Sequence, residues 1–127
     1  MEITNDNEIE QYTKLSVFGR NLKKIRKARS LTQVELALQA GYESTGTISQ
    51  FEKAVSAPSL KKVFLMAKIL DVPVQILLSD VEYTSEEIKA ITMFIDVLKN
   101  RDKLRAFDGA HDLIKMMHKY LSSKKII

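Results

Sequence analysis

Ser44, Thr45, Gly46, Thr47, Ser49, Gln50 and Lys53 place hydroxyls, an amide, an ammonium and a position without a side chain in one short stretch. Ile48 and Phe51 lie among them at helical spacing, so a helix here would bury those two and turn the polar groups outward. The chemistry on offer is hydrogen bonding to a partner. A glutamine can bond bidentately to adenine, and a threonine can set its methyl against that of thymine. Covalent chemistry has no comparable set of residues. The chain contains no cysteine, which removes thiolate nucleophiles and sulfur-ligated zinc. His111 and His118 stand two helical turns apart, each turn about 5.4 Å, too far to share a metal ion. No nucleophile–base constellation and no phosphate loop is present, so no enzyme activity, metal or cofactor is expected.

The elements that would position this stretch are helical almost throughout. Leu15, Phe18, Leu22 and Ile25 predict helix 1 over Ser16–Arg29, with Arg20, Lys23, Lys24 and Lys27 on its other face. Thr32 and Glu35 form a capping box that opens helix 2, and Gly41 ends it. Helix 3 is expected over Thr45–Lys53. Leu60, Val63, Phe64, Ala67 and Leu70 mark helix 4, and Phe64 is expected in the core with Leu36, Ile48 and Phe51. Pro73 suits the start of a short helix 5 over Val74–Leu78. After a linker at Ser79–Tyr83, Thr84 and Glu87 form a second capping box. Ile88, Ile91, Phe94, Ile95 and Leu98 then stripe helix 6, and Leu104, Phe107, Leu113, Ile114, Met117 and Leu121 stripe helix 7. The short break at Asn100–Asp102 predicts an antiparallel hairpin.

A net charge of +4 conceals a segregation. Residues 1–13 carry four acids and no base, residues 14–70 carry 11 bases against three acids, and residues 71–127 carry nine of each. An excess of +8 in under 60 residues points to a polyanion partner. The acidic opening MEITNDNEIE lacks the basic-then-apolar order of a secretory leader, and no apolar run approaches the ~20 residues of a membrane span. A cytoplasmic chain without membrane contact is expected.

A groove-reading helix needs a brace helix across the backbone, fixed by a tight turn. The brace must carry a small residue where the helices cross, and the turn a residue tolerant of positive φ. Counting from Gln33, Ala37 and Gly41 occupy positions 5 and 9. The run LTQVELALQAG…TISQFEK…PSL…LMAKILDV resembles the phage repressor and Cro class of helix-turn-helix domain, the xenobiotic-response-element family of bacterial regulators. The resemblance covers about residues 16–79. Two departures stand out. Ile48 falls at position 16 rather than 15, which lengthens the turn Tyr42–Ser44 by one residue. Ala54 stands where the family usually has glycine, which predicts a different turn after helix 3.

The apolar spacing and the resemblance together give an all-α chain: a flexible acidic arm (1–13) and a two-helix C-terminal hairpin (84–122) from the pattern of the sequence, and a five-helix repressor-type helix-turn-helix domain (14–79) from the resemblance. The resemblance implies base-edge contacts from Thr45, Gly46, Thr47 and Gln50. Phosphate contacts would come from Gln33, Ser44 and Lys53, with Arg20 and Lys24 contributing from helix 1. Arg26 and Glu52 match a structural ion pair between helices 1 and 3. The implied function is sequence-specific transcriptional regulation by a homodimeric repressor reading a palindromic operator in double-stranded DNA.

A hairpin cannot bury both of its apolar stripes alone. It must cover the first domain or meet another chain. One reading helix buries too little surface for tight specific binding. The hairpin is therefore expected to dimerise, and its removal after Asp80 to leave a folded five-helix unit. Val34 and Leu38, off the inner stripe of helix 2, hint at a covering segment. The alternative is a DNA-binding antitoxin whose hairpin holds a protein toxin.

Overall fold

A computed structural model describes residues 6–100 and 110–125, all of it helix, turn or loop, with no strand among the described residues. The helices are α1 (Asp6–Ala28), α2 (Gln33–Gln39), α3 (Thr47–Glu52), α4 (Leu60–Leu70), α5 (Val74–Leu77), α6 (Ser85–Lys99) and α7 (Ala110–Ser123). None is long and apolar enough to cross a membrane among the described residues.

Helix α1 starts at Asp6, not at Ser16, so positions 6–13 of the expected loose arm belong to its first turns. The reason is electrostatic rather than apolar. Acids at a helix N-terminus and bases at its C-terminus both favour the helix dipole. Here Glu8 and Glu10 lie in the first turns of α1, and Arg26 and Lys27 close it. Glu10 also pairs with Lys14 one turn on, at 3.1 Å, and raises the lysine's pKa by hydrogen bond and charge.

Both capping boxes are formed. The Thr32 and Thr84 hydroxyls accept from the Glu35 and Glu87 backbone N–H groups, and each glutamate accepts in return from the threonine N–H. The Thr84 backbone N–H holds the Glu87 carboxylate below its usual pKa. Helix α2 closes as expected, with Gly41 at φ +78° and the Tyr42 N–H donating to the Ala37 carbonyl at 2.9 Å.

The core is continuous from the first domain into the hairpin. Leu22, Ile25, Leu36, Ile48, Phe51, Met66, Leu70, Ile76 and Leu77 are joined in it by Tyr83, Ile88, Ile91 and Leu121. Helix α6 packs along α1, and α7 returns on α6, with Tyr120 set edge-on to Phe94 at 5.4 Å between ring centroids. The inner stripe of α6 is thus covered within the chain. Asn21, fully buried on α1, fastens the junction: its Nδ2 donates to the Val81 carbonyl at 2.8 Å and its Oδ1 accepts from the Tyr83 N–H at 3.0 Å. Arg29 donates to the Leu70 and Asp71 carbonyls at the end of α4 and pairs with Asp96 of α6 at 2.8 Å. The segment beyond Asp80 contributes Tyr83, Ile88, Ile91 and Leu121 to this core.

Three expectations about apolar residues change. Phe64 is 53% exposed, because the buried side of α4 is Val63, Met66, Ala67 and Leu70. Leu60 is exposed beside it. Val34 and Leu38 stay open to solvent, covered by no other described segment. Most of the expected break at Asn100–Asp102, and Leu104 and Phe107 of the expected last helix, lie outside the described residues.

Candidate nucleic-acid interface

Helix α3 is held from two sides. On α1, Gly19 allows a close approach: a Cβ there would lie 2.5 Å from the Phe51 carbonyl oxygen and 2.8 Å from that of Glu52. Two turns on, Arg26 meets Glu52 through both arms of its guanidinium, Nε to Oε2 at 2.7 Å and Nη2 to Oε1 at 3.1 Å. The third nitrogen, Nη1, donates to the Leu31 carbonyl at 2.8 Å, so every guanidinium nitrogen makes a hydrogen bond although the side chain is only 8% exposed. On α2, Gln33 Nε2 donates to Glu52 Oε1 at 3.0 Å. Gln33 thereby braces the reading helix while staying half-buried at the start of α2.

The turn before α3 is tied from below. The Lys62 ammonium donates to the Ala40 carbonyl at the end of α2 and lies 4.8 Å from the centre of the Tyr42 ring. Tyr42 sits edge-on to Phe51, and burial raises the pKa of its phenol.

Helix α3 proper begins at Thr47, two residues later than its expected start, so Thr45 and Gly46 lie in the entering turn. The Ser44 hydroxyl accepts from the Gly46 N–H at 3.3 Å, which gives this serine a local turn-holding role. Ile48 and Phe51 are buried, and the Glu52 side chain is 3% exposed. Gly46, Gln50 and Lys53 are all exposed, at helical intervals of four and three residues along one stripe. Thr47 and Ser49 flank that stripe half-buried, and Ser44 and Thr45 are exposed beside its start. A Cβ at Gly46 would meet only the Ser44 hydroxyl, at 3.7 Å. Nothing inside the chain requires glycine there.

After α3, Ala54 takes φ +58°, the left-handed conformation that a glycine would adopt freely. The different turn expected from alanine does not form. The turn is kept, at a steric cost.

Helix 1 differs most from expectation. Arg20 pairs with Glu82, and Lys24 donates to the Tyr83 carbonyl at 2.6 Å, so both expected phosphate contacts are turned to the chain's own linker. Lys23 and Lys27 are exposed on α1, and their ammonium groups have no ion pair or hydrogen bond among the described residues. Their type and helix face are visible in the sequence. Their freedom is not, because it depends on Glu82 and Tyr83 far along the chain. Gly19 and Asn21 likewise give no sequence signal beyond an interruption of the helical pattern.

No group of His, Asp and Glu side chains suited to hold a metal occurs among the described residues. Residues 22–77 match the helix-turn-helix family model. No curated protein and no solved structure matches the chain. The brace, the turn and the polar helix α3 all lie inside the matched segment, which is similar to a helix-turn-helix domain of the phage repressor and Cro type.

Proposed function

We propose that the chain is a homodimeric repressor that reads a roughly two-fold-symmetric duplex with α3 in the major groove. The observation that carries this reading is the division of α3. Ile48, Phe51 and Glu52 anchor it, while Gly46, Gln50 and Lys53 form an exposed polar stripe. Gln50 contacts a base edge, with Thr45 and Thr47 beside it, and Gly46 lets the backbone come close. Lys53, Ser44 and Gln33 meet phosphates, and Lys23 and Lys27 take the place expected for Arg20 and Lys24.

Dimerisation has a geometric ground. At 1.5 Å per residue, α3 is about 9 Å long and spans only a few base pairs, so two copies are needed for a site of useful specificity. Because the inner stripe of α6 packs on α1, pairing uses surface outside that stripe.

Selection of bound duplexes from a random pool tests the reading. A half-site repeated about 10 bp away, centre to centre, with affinity falling steeply with salt, is the expected result. An asymmetric site, or full-length protein that sediments as a monomer at tens of micromolar, overturns the dimeric form.

A further inference from the structure

We propose that the cleft between α1 and the start of α6 is a second phosphate-holding surface, which follows the DNA backbone past the helix-turn-helix footprint. The inference rests on the DNA-binding reading above and extends it onto the C-terminal segment. The cleft, about 550 Å³, is lined by Arg20, Lys23, Lys24 and Lys27 of α1 and by Ser85 and Lys89 of α6. No acid is among these residues. Arg20 is paired with Glu82, and Lys24 is held by the Tyr83 carbonyl. Lys23, Lys27 and Lys89 are exposed, and their ammonium groups have no hydrogen bond or ion pair among the described residues. Three uncompensated ammonium groups around one concavity repel one another, and an anion relieves that repulsion.

The lining identifies the anion. It offers donors and aliphatic stems but no carboxylate or amide acceptor, which suits phosphate rather than a base or a sugar hydroxyl. Arg20, Lys23 and Lys27 run along α1 at intervals of three and four residues, a stripe about 10 Å long at 1.5 Å per residue. A DNA strand carries one phosphate per 3.4 Å of helix axis, so several phosphates pass along such a stripe.

Continuity favours DNA over a free phosphorylated ligand. Lys27 also lines the shallow concavity at the start of α2, together with Thr32 and Gln33. Gln33 is in turn bonded to Glu52 of α3. A line of exposed lysines therefore runs from Lys27, beside Gln33 at the start of α2, through Lys23 to Lys89, which lies outside the matched segment 22–77.

The test compares the full-length parent with K89A and K89E on two duplexes. One is trimmed to the selected site, and the other carries about one extra helical turn on each side. Binding of the parent to the trimmed duplex checks the DNA-binding reading alone. On the long duplex, K89A is expected to lower the salt slope by about one per bound chain and K89E by more, with base preference and melting temperature unchanged. On the trimmed duplex both variants should match the parent. Equal slopes for parent and variants on the long duplex overturn the inference, as does the same loss on both duplexes. Tight binding of inorganic triphosphate that K89A abolishes, without any flank dependence, assigns the cleft to a free ligand and overturns it too.

Discussion

Arg26 and Glu52 are joined by a two-pronged ion pair across the α1–α3 interface, and Gln33 adds a third bond to the same carboxylate. Both side chains are nearly excluded from water. Removing one member of such a pair strands the other charge, which costs about 3–5 kcal/mol. Glu52→Ala should therefore lose stability on that scale in urea titration and release Gln33 from its brace. A variant that unfolds at the parent's midpoint would show that the pair contributes nothing net.

The two glycines beside α3 should separate folding from binding. Gly19→Ala sets a methyl against the Phe51 and Glu52 carbonyl oxygens, both backbone, so α1 and α3 must move apart. Overpacking of this kind costs about 1–3 kcal/mol. Gly46→Ala meets only the Ser44 hydroxyl, at an ordinary contact distance of 3.7 Å, so its melting temperature should match or exceed the parent's while DNA affinity falls. Full DNA affinity in Gly46→Ala would remove the close approach at that position.

Ala54 offers a gain. Its left-handed φ costs an L-residue about 1–2 kcal/mol, and glycine does not carry that cost. Ala54→Gly should stabilise the protein by roughly 1 kcal/mol in thermal unfolding, since greater freedom in the unfolded chain offsets part of the gain. A lower melting temperature would indicate that the Ala54 methyl makes packing contacts worth more than the strain.

Gln50 and Lys53 share the exposed stripe of α3 but should act differently. Gln50→Ala should cost about 1–3 kcal/mol and flatten preference at one position of the selected site. Lys53→Ala should weaken all sequences alike and lower the salt slope by about one. If Gln50→Ala weakens specific and random DNA equally, α3 docks in another register.

Truncation after Asp80 should not give an independent unit. It removes Tyr83, Ile88, Ile91 and Leu121 from the core and leaves the buried Asn21 amide without its two backbone partners. Stranding that amide alone costs about 1–3 kcal/mol. Circular dichroism should show a much lower melting temperature for the truncated chain. A cooperative transition near the full-length value would mean that the five-helix part is self-sufficient.

What can be read from the sequence follows the range of the interaction. The capping boxes at Thr32 and Thr84 and the glycine end of α2 involve residues a few positions apart, so pattern alone locates them. The proximity of Arg26 and Glu52 is legible only through the motif that contains both. The first turns of α1 have no apolar period and are held by charge, which periodicity cannot detect. Phe64 fits the helical stripe of α4, but its side of that helix meets no other element. The stripe of α6 shows that something covers it without naming what, and Asn21, a polar residue in a basic helix, does not announce that α1 is the cover. Arg20 and Lys24 show their charge in sequence, but not that Glu82 and Tyr83, some 60 residues later, would claim them.

Asn21 grips the linker on the same helix whose Gly19 and Arg26 seat α3. One helix therefore has the C-terminal segment at one contact and the seat of α3 at another, so Asn21→Ala, which removes both bonds to the linker, should lower the stability of the α1–α3 contact as well as that of the α1–α6 contact.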